Sequence, residues 1–318
     1  MKSKEEILAS ENIIEVRNFA MSFGTKKVIR DLSFVVKRGE TFGFLGSNGS
    51  GKTTTLRALL GIYEPTGGEL LINGEKFDVA KIGGKVGYLP EERGLYKKET
   101  VLDTMVYFGQ LKGMSRAAAK DFALNYLGKV GLGGYENSRI DKLSGGMQQK
   151  VQLGITIMNE PELLILDEPT KGFDPVNQRL LMDMILDLQR RGTTVMMVTH
   201  QMDEVERLCD RILLLKDGIA KEYGTLATVR KKYGGQHMED IFVQIYGGVD
   251  GENEEHFSLG DLGSRNDSVI PSVVEGSSNK SHSELVSESS TFQNSAKTRK
   301  ILKQVQDDKN DDSRKGKP

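Results

Sequence analysis

The segment "GSNGSGKT", Gly46 to Thr53, places a lysine and a hydroxyl residue behind spaced glycines, in the pattern G-x-x-x-x-G-K-[ST]. Glycines let a backbone wrap so tightly that successive N–H groups point inward, and such a ring of donors suits phosphate oxygens. On this reading Gly46, Ser47, Asn48, Gly49, Ser50 and Gly51 cradle the phosphates, and Thr54 continues the binding segment. Lys52 reaches the β- and γ-phosphates and Thr53 ligates Mg²⁺. A second cluster follows in "ELLILDEPT", where the apolar run Leu163 to Leu166 ends in Asp167 and Glu168. A carboxylate at the C-terminal end of a buried strand sits where α/β sheets bind ligands. Asp167 can hold Mg²⁺ through its water shell. Glu168 can serve as general base toward an attacking water, help typically worth about 10²–10⁴ in rate. His200 closes a third apolar run, "TTVMMVTH". If that strand lies beside the other two, His200 points at the γ-phosphate.

These side chains need a scaffold. "TFGFL" (41–45), "LLILD" (163–167) and "TTVMMVT" (193–199) are short apolar runs bounded by turn or polar residues, which predicts buried, parallel strands. The helix that a phosphate loop requires is found in "TTLRALLGIY". "VRNFAMSFGTKKVIRDLSFVV" predicts antiparallel strands joined at a glycine turn. Thr100, with Asp103 three residues on, predicts a helix start. Ala119, Phe122, Ala123, Tyr126, Leu127 and Val130 recur at helical spacing, and Gly131 ends the run. A helical insert, about 95–150, therefore interrupts an α/β sheet.

The chain has 318 residues, of which 37% are hydrophobic and 28% charged, enough for a sizeable core. A formal net charge of −1 gives no basic surplus for nucleic acid. A single cysteine, Cys209, excludes an internal disulfide and a cysteine-based zinc cage. No apolar run reaches the roughly 18–20 residues that span a bilayer, and the N-terminal residues lack an apolar signal core. The expectation is a cytoplasmic protein whose membrane part, if it serves a membrane process, is another chain. From about Val249 the sequence turns to Ser, Asn, Asp, Glu and Lys with few aromatics, which predicts a domain at 12–248 and a disordered tail at 249–318.

One stretch has no evident chemistry of its own. "KLSGGMQQK" puts Ser144, Gly145 and Gly146 at a helix start, with no acid, base or metal ligand beside the glycines. Taken with the other motifs, in this order, it resembles the nucleotide-binding subunit of an ATP-binding-cassette (ABC) transporter over residues 12–246. "GSNGSGKT" matches that family's Walker A motif, "LSGGM" its signature, "LLILDE" its Walker B motif, "KGFD" its D-loop, and His200 its switch histidine. The resemblance implies a P-loop NTPase-type fold: a mostly parallel sheet core, an antiparallel β subdomain and a helical insert. It implies that Ser144 and the N–H groups of Gly145 and Gly146 hold the γ-phosphate of ATP bound to a second copy. Two chains, identical or close paralogues, then meet head to tail around two ATP, and hydrolysis loosens the sandwich. Phe23 stands where an aromatic ring stacks on adenine, and Asp174 is the D-loop aspartate. Phe173 and Met147 replace the usual Leu and Gln.

The resemblance also implies separate transmembrane permease subunits and placement on the inner face of the cell membrane. "GYLPEERGLY" and "MEDIFVQIYGG" resemble the ABC-2-type exporter ATPases, including sodium-export-like members. A soluble family member acting on ribosomes or DNA is the alternative, but it usually has two cassettes or long coiled coils, neither present here. A nucleotide-gated regulatory module is a third reading, disfavoured by Glu168 beside Asp167. Glu91 stands where the family usually has a glutamine. Either it pairs with Arg93 or Lys97 on the surface, or it lies near Mg²⁺, for which a carboxylate oxygen is a suitable ligand.

Overall fold

The computed structural model describes residues 11–92 and 94–247. The proposed tail at 249–318, the boundary at 248 and Arg93 lie outside the described residues. Strands β1 (Asn12–Phe23) and β2 (Lys26–Lys37) form an antiparallel pair that turns at Gly24, whose φ of 57° is cheap only for glycine. Then come β3 (Thr41–Leu45), α1 (Lys52–Leu59), β4 (Gly67–Ile72), the short α2 (Val79–Ile82) and β5 (Val86–Leu89). Helices α3 (Val101–Leu111), α4 (Arg116–Lys129) and α5 (Gly145–Ile157) precede β6 (Leu163–Asp167). The rest is α6 (Pro175–Arg190), β7 (Thr194–Thr199), α7 (Met202–Leu208), β8 (Arg211–Lys216), β9 (Ile219–Thr225), α8 (Leu226–Lys232) and α9 (Met238–Tyr246).

Nine strands make one mixed sheet in the order β4-β1-β2-β9-β8-β3-β7-β6-β5. The run from β8 to β5 is parallel, while β1 pairs antiparallel with both β2 and β4. The fold is therefore the α/β architecture that the sequence pattern predicts. Its parallel strands are buried on both faces, as continuous apolar runs require. Alternate residues serve opposite cores. Leu163, Ile165, Met196 and Val198 pack with α1 and the antiparallel strands, whereas Leu164, Leu166, Val195 and Met197 pack with α3 to α6. Truncating any of the Leu, Ile or Met residues among these to alanine costs about 2–5 kcal/mol.

The helical starts follow their chemistry. Thr100 Oγ1 accepts from the Asp103 N–H at 3.1 Å, and Ser115 Oγ accepts from Ala118 at 3.2 Å. Ala119, Ala123, Tyr126, Leu127 and Val130 are buried, and Gly131 turns the chain with φ 71°. Phe122 is only partly buried. Among the described residues, no helix is long and apolar enough to cross a membrane.

Candidate active site

In the sheet β7 lies between β3 and β6, with Leu45 opposite Thr199 and Asp167 opposite Val198. All three strands are parallel, so the residues that follow them leave the same sheet edge together. Gly46 to Gly51, Asp167 with Glu168, and His200 are those residues. The three motifs thus meet at one carboxyl edge, although more than a hundred residues separate the first from the second.

The loop is held from within. Lys52 is buried, and its ammonium donates to the carbonyls of Gly46 (2.7 Å) and Ser47 (3.0 Å). Burial pushes the Lys52 amine down, and the charges of Glu168, Asp167 and Glu91 oppose that shift. Gly51 has φ 109°, and a Cβ there would stand 2.4 Å from Ile29 Cδ1, so any side chain would be strained and would have to push Ile29 aside. Helix α1 begins at Lys52 with no side-chain cap, leaving its first N–H groups open to an anion. The buried Ser50 Oγ has no partner among the described residues. Asn48 and Gly49 are exposed, while Thr53 and Thr54 are half-buried in the first turn.

The acidic side is strained. Glu168 has φ 49°, a left-handed conformation that costs a non-glycine residue about 1–3 kcal/mol. Its N–H donates to Val198 O at 2.8 Å, which pins it to β7. Its Oε1 lies 2.8 Å from His200 Nδ1, while Oε2 is buried without a partner among the described residues. Asp167 is buried, and burial followed by the charges of Glu91 and Glu168 pushes its carboxyl up to about 7. Negative charge is therefore in excess at this edge, despite Lys52.

That excess fits a divalent cation. Among the described residues no group of three or more His, Cys, Asp and Glu side chains could hold a metal alone. The remaining oxygens must come from phosphate and water, which is how Mg²⁺ is commonly bound. Asp167 and the Thr53 hydroxyl are the protein ligands that the chemistry offers.

Among the described residues Glu91 has a partner other than Lys97. Its Oε1 is 2.5 Å from Lys171 Nζ, not at Lys97, and its charge is felt at Asp167 and Lys52. Phe23, near the hairpin turn, is 45% exposed and meets Tyr63 edge-on at 5.3 Å. Arg57 donates to the Tyr63 hydroxyl at 2.9 Å.

The Ser144 stretch lies apart. Ser144 Oγ caps α5 by accepting from the Met147 N–H at 3.3 Å, and Gly145 and Gly146 form the helix's first turn. Among the described residues no hydrogen bond joins Ser144, Gly145 or Gly146 to the 46–54 loop. The Phe173 ring lies 3.6 Å from where a Gly146 Cβ would be. Gln149 donates to Pro169 O at 2.8 Å, tying α5 to the loop after Glu168. Asp174 caps α6 by accepting from Val176 and Asn177, both at 3.0 Å.

One supporting group has no sequence signal. Glu204 is buried, accepts from Thr199 Oγ1 at 3.0 Å and from the Thr170 hydroxyl, and so ties the loop after Glu168 to the strand before His200. Burial raises its pKa. Gln201 adds a second tie, donating to Thr170 Oγ1 at 2.7 Å.

The chain is similar to known proteins. The ABC transporter family profile matches residues 29–171. An ABC transporter ATP-binding protein of Methanocaldococcus jannaschii is 46% identical over 219 residues, which are 69% of this chain and 80% of that protein. The Nod factor export ATP-binding protein I of Burkholderia lata is 38% identical over 207 residues, 64% of this chain and 68% of that one. A solved ATP-binding subunit of an ABC transporter matches with a TM-score of 0.68 at 30% identity, covering 73% of this chain and 99% of that one.

Proposed function

The chain belongs to the ATP-binding subunits of ABC transporters and is an ATPase of that family, and from this premise we propose that it closes head to tail with a second subunit around two ATP to drive export through separate membrane subunits. The observation that carries this reading is the separation of two anion-binding elements. The Gly46–Thr53 loop shares one sheet edge with Asp167, Glu168 and His200, while Ser144 begins a helix with no hydrogen bond to that loop among the described residues. A γ-phosphate from a second copy gives Ser144 and the N–H groups of Gly145 and Gly146 a partner. Export rests on the Burkholderia lata relative's name. The placement on the inner membrane face follows from the need to meet permease subunits.

At the composite site Lys52 would turn from the Gly46 and Ser47 carbonyls to the β- and γ-phosphates. Phe23 would stack on adenine. Thr53 and Asp167 would hold Mg²⁺, which when bound would supply charge neutralisation at the phosphate oxygens. Glu168 takes a proton from water as the water oxygen bonds to the γ-phosphorus and the bond from phosphorus to the β–γ bridging oxygen breaks. His200, fixed by Glu168 at Nδ1, keeps Nε2 for the γ-phosphate. Such help from positioned groups is usually the largest part of phosphoryl-transfer catalysis. Asp174, capping α6 beside Phe173, would communicate across the dimer.

The test is complementation. Ser144→Arg should abolish turnover while sparing ATP binding to the single chain, because the side chain fills the partner's phosphate cradle. Mixed with Lys52→Ala, it should regain one working site. No recovery, in mixed dimers shown to form by cross-linking, would sink the head-to-tail reading.

A further inference from the structure

The last described helix reaches back to the phosphate loop. Helix α9 is seated by Met238 and Ile241, both fully buried, and the Met238 N–H donates to Glu206 Oε1 at 2.7 Å. Glu206 belongs to α7, which starts just after His200 and Gln201. At the other end of α9, Tyr246 stacks on Phe242 with centroids 4.2 Å apart. The Lys216 ammonium lies 5.9 Å over the Tyr246 ring and donates to Ile245 O at 2.7 Å. The ring is therefore fixed on one side by an aromatic and held by a cation and a helix carboxyl end.

What the ring presents is its hydroxyl, which donates to Leu215 O in β8. Gly46 occupies the same corner. A Cβ at Gly46 would lie 2.5 Å from Ser50 Oγ, 2.6 Å from Leu215 O and 3.2 Å from Tyr246 Oη. Gly46 lacks the positive φ that would otherwise explain a glycine, so crowding by Ser50 Oγ and the Leu215 carbonyl, with Tyr246 Oη behind them, is the reason for its type. Burial pushes the Tyr246 phenol up to about 12, and the facing N–H of Ser47 pulls it the other way. The start of the loop thus rests on Tyr246, while Asn48 and Gly49 beyond it are exposed.

We infer that α9 braces the phosphate loop, and that Tyr246 is a positioning residue for ATP whose hydroxyl fixes the Gly46–Ser47 corner from behind. The inference rests on the reading of Gly46 to Thr53 as the phosphate site. Donors in a loop favour an anion only when they already point at it, because a loop ordered on binding takes its entropy from the affinity. A hydroxyl shared between Leu215 O and the Gly46–Ser47 corner restricts the loop at its first turn, where β3 releases it. The side chain touches no phosphate in this role.

Equilibrium binding of MgATP to the full chain tests this with Tyr246→Phe, which keeps the ring stack and loses the hydroxyl's bonds to Leu215 O and to the Ser47 N–H, one of them on the loop side. Loss of one such bond corresponds to a Kd raised roughly three- to tenfold. Amide exchange across residues 46–49 of the nucleotide-free chain should quicken at the same time. A merely structural role would lower the melting midpoint and leave Kd alone. A Kd within twofold of the parent overturns the brace, whatever the midpoint does. Should Tyr246→Phe fail to fold, Lys216→Met, which loosens the ring but keeps the hydroxyl, must still raise Kd beyond twofold or the inference fails. Lys52→Ala is the control in the same assay. Normal ATP binding by that variant would remove the site reading and the brace with it, while a defective Lys52→Ala beside a neutral Tyr246→Phe removes the brace alone.

Discussion

The carboxyl edge of β3, β7 and β6 and the start of α5 are both built to meet anions, yet they are finished to different degrees. At the sheet edge, Glu168 Oε2 and Ser50 Oγ are buried without partners among the described residues, Glu168 holds a left-handed backbone, and Asp167 is pushed up to about 7 by burial and by two neighbouring carboxylates. At Ser144 the hydroxyl is already used as a helix cap, the backbone is relaxed and the residue is exposed. Unpaired buried groups cost stability, typically about 1–3 kcal/mol each. The edge therefore carries its cost in the single chain, ready for a bound nucleotide. The helix start costs nothing while it waits, as suits an element completed only by a partner.

The largest expected effect strikes the unfinished side. Glu168→Gln keeps the shape and the contact to His200 but cannot accept a proton. Turnover should fall by about 10²–10⁴ while MgATP still binds, and the ATP-bound chain should run at dimer mass in size exclusion. Turnover near the parent's would take the base role away from Glu168. It would also erase the contrast, since the strained backbone at 168 would then have no function to explain it.

A second effect tests whether the insert is as rigid as the edge is strained. Lys112 caps α3, is half-buried and donates to Thr156 O and Asn159 Oδ1, both at 3.0 Å. Burial pushes its amine down to about 8 from an ordinary 10.5. Between those values the unfolded chain binds the proton and the folded chain does not, so stability rises with pH through that window. Below pH 8 the penalty is fully present. The gain from pH 8 to 10.5 is up to about 3 kcal/mol, from about 1.36 kcal/mol per unit. Lys112→Met removes the group, so the parent should gain on the variant by that order as pH rises from 7 to 10 in denaturant melts. Parallel pH curves would show that the ammonium keeps its charge in the fold.

How much of this was legible depended on whether contacts were local. The 46–53 loop reads directly because its donors are consecutive and its helix follows at once. The strands read because each is an unbroken apolar run. Their adjacency at one edge was inferable from the parallel pattern. Glu204 was not legible, because "MDEVERL" reads as an ordinary acidic helix face and only Thr170 and Thr199, brought in by the sheet, bury its carboxylate. Tyr246 was hidden in the same way, as an apolar residue at a helix end whose hydroxyl partner lies 31 residues earlier. The partner of Glu91 was sought among its sequence neighbours. Lys171, in the loop after β6, is a partner that lies far away in sequence, brought there because β5 runs parallel beside β6 with Leu89 opposite Leu166. The residues after those two strands therefore leave the sheet side by side, which carries Lys171 to Glu91.

The smallest effect concerns that pair, and it sharpens the comparison most. Glu91 is 38% exposed and Lys171 61%, so their bridge is worth no more than about 1 kcal/mol and is weakened by salt. Stability is then a poor readout. The charge of Glu91 is nevertheless felt at Asp167 and Lys52, so its place in the cation's surroundings is testable. Glu91→Gln keeps the oxygen acceptor and drops one negative charge from an edge that has too many. Turnover should stay within about threefold of the parent, since one exposed charge at this range is worth about 1 kcal/mol or less. Glu91→Ala loses the acceptor as well and should raise the Mg²⁺ concentration needed for half-maximal rate. Lys171→Ala frees Glu91 without removing it, and should shift that concentration the opposite way, because an unpaired carboxylate attracts the cation more strongly. The measurement is ATPase rate against Mg²⁺ for the four proteins at low and high salt. If the alanine variants both follow the parent curve, Glu91 and Lys171 are a surface turn, and the cation's surroundings at this edge end at Thr53 and Asp167.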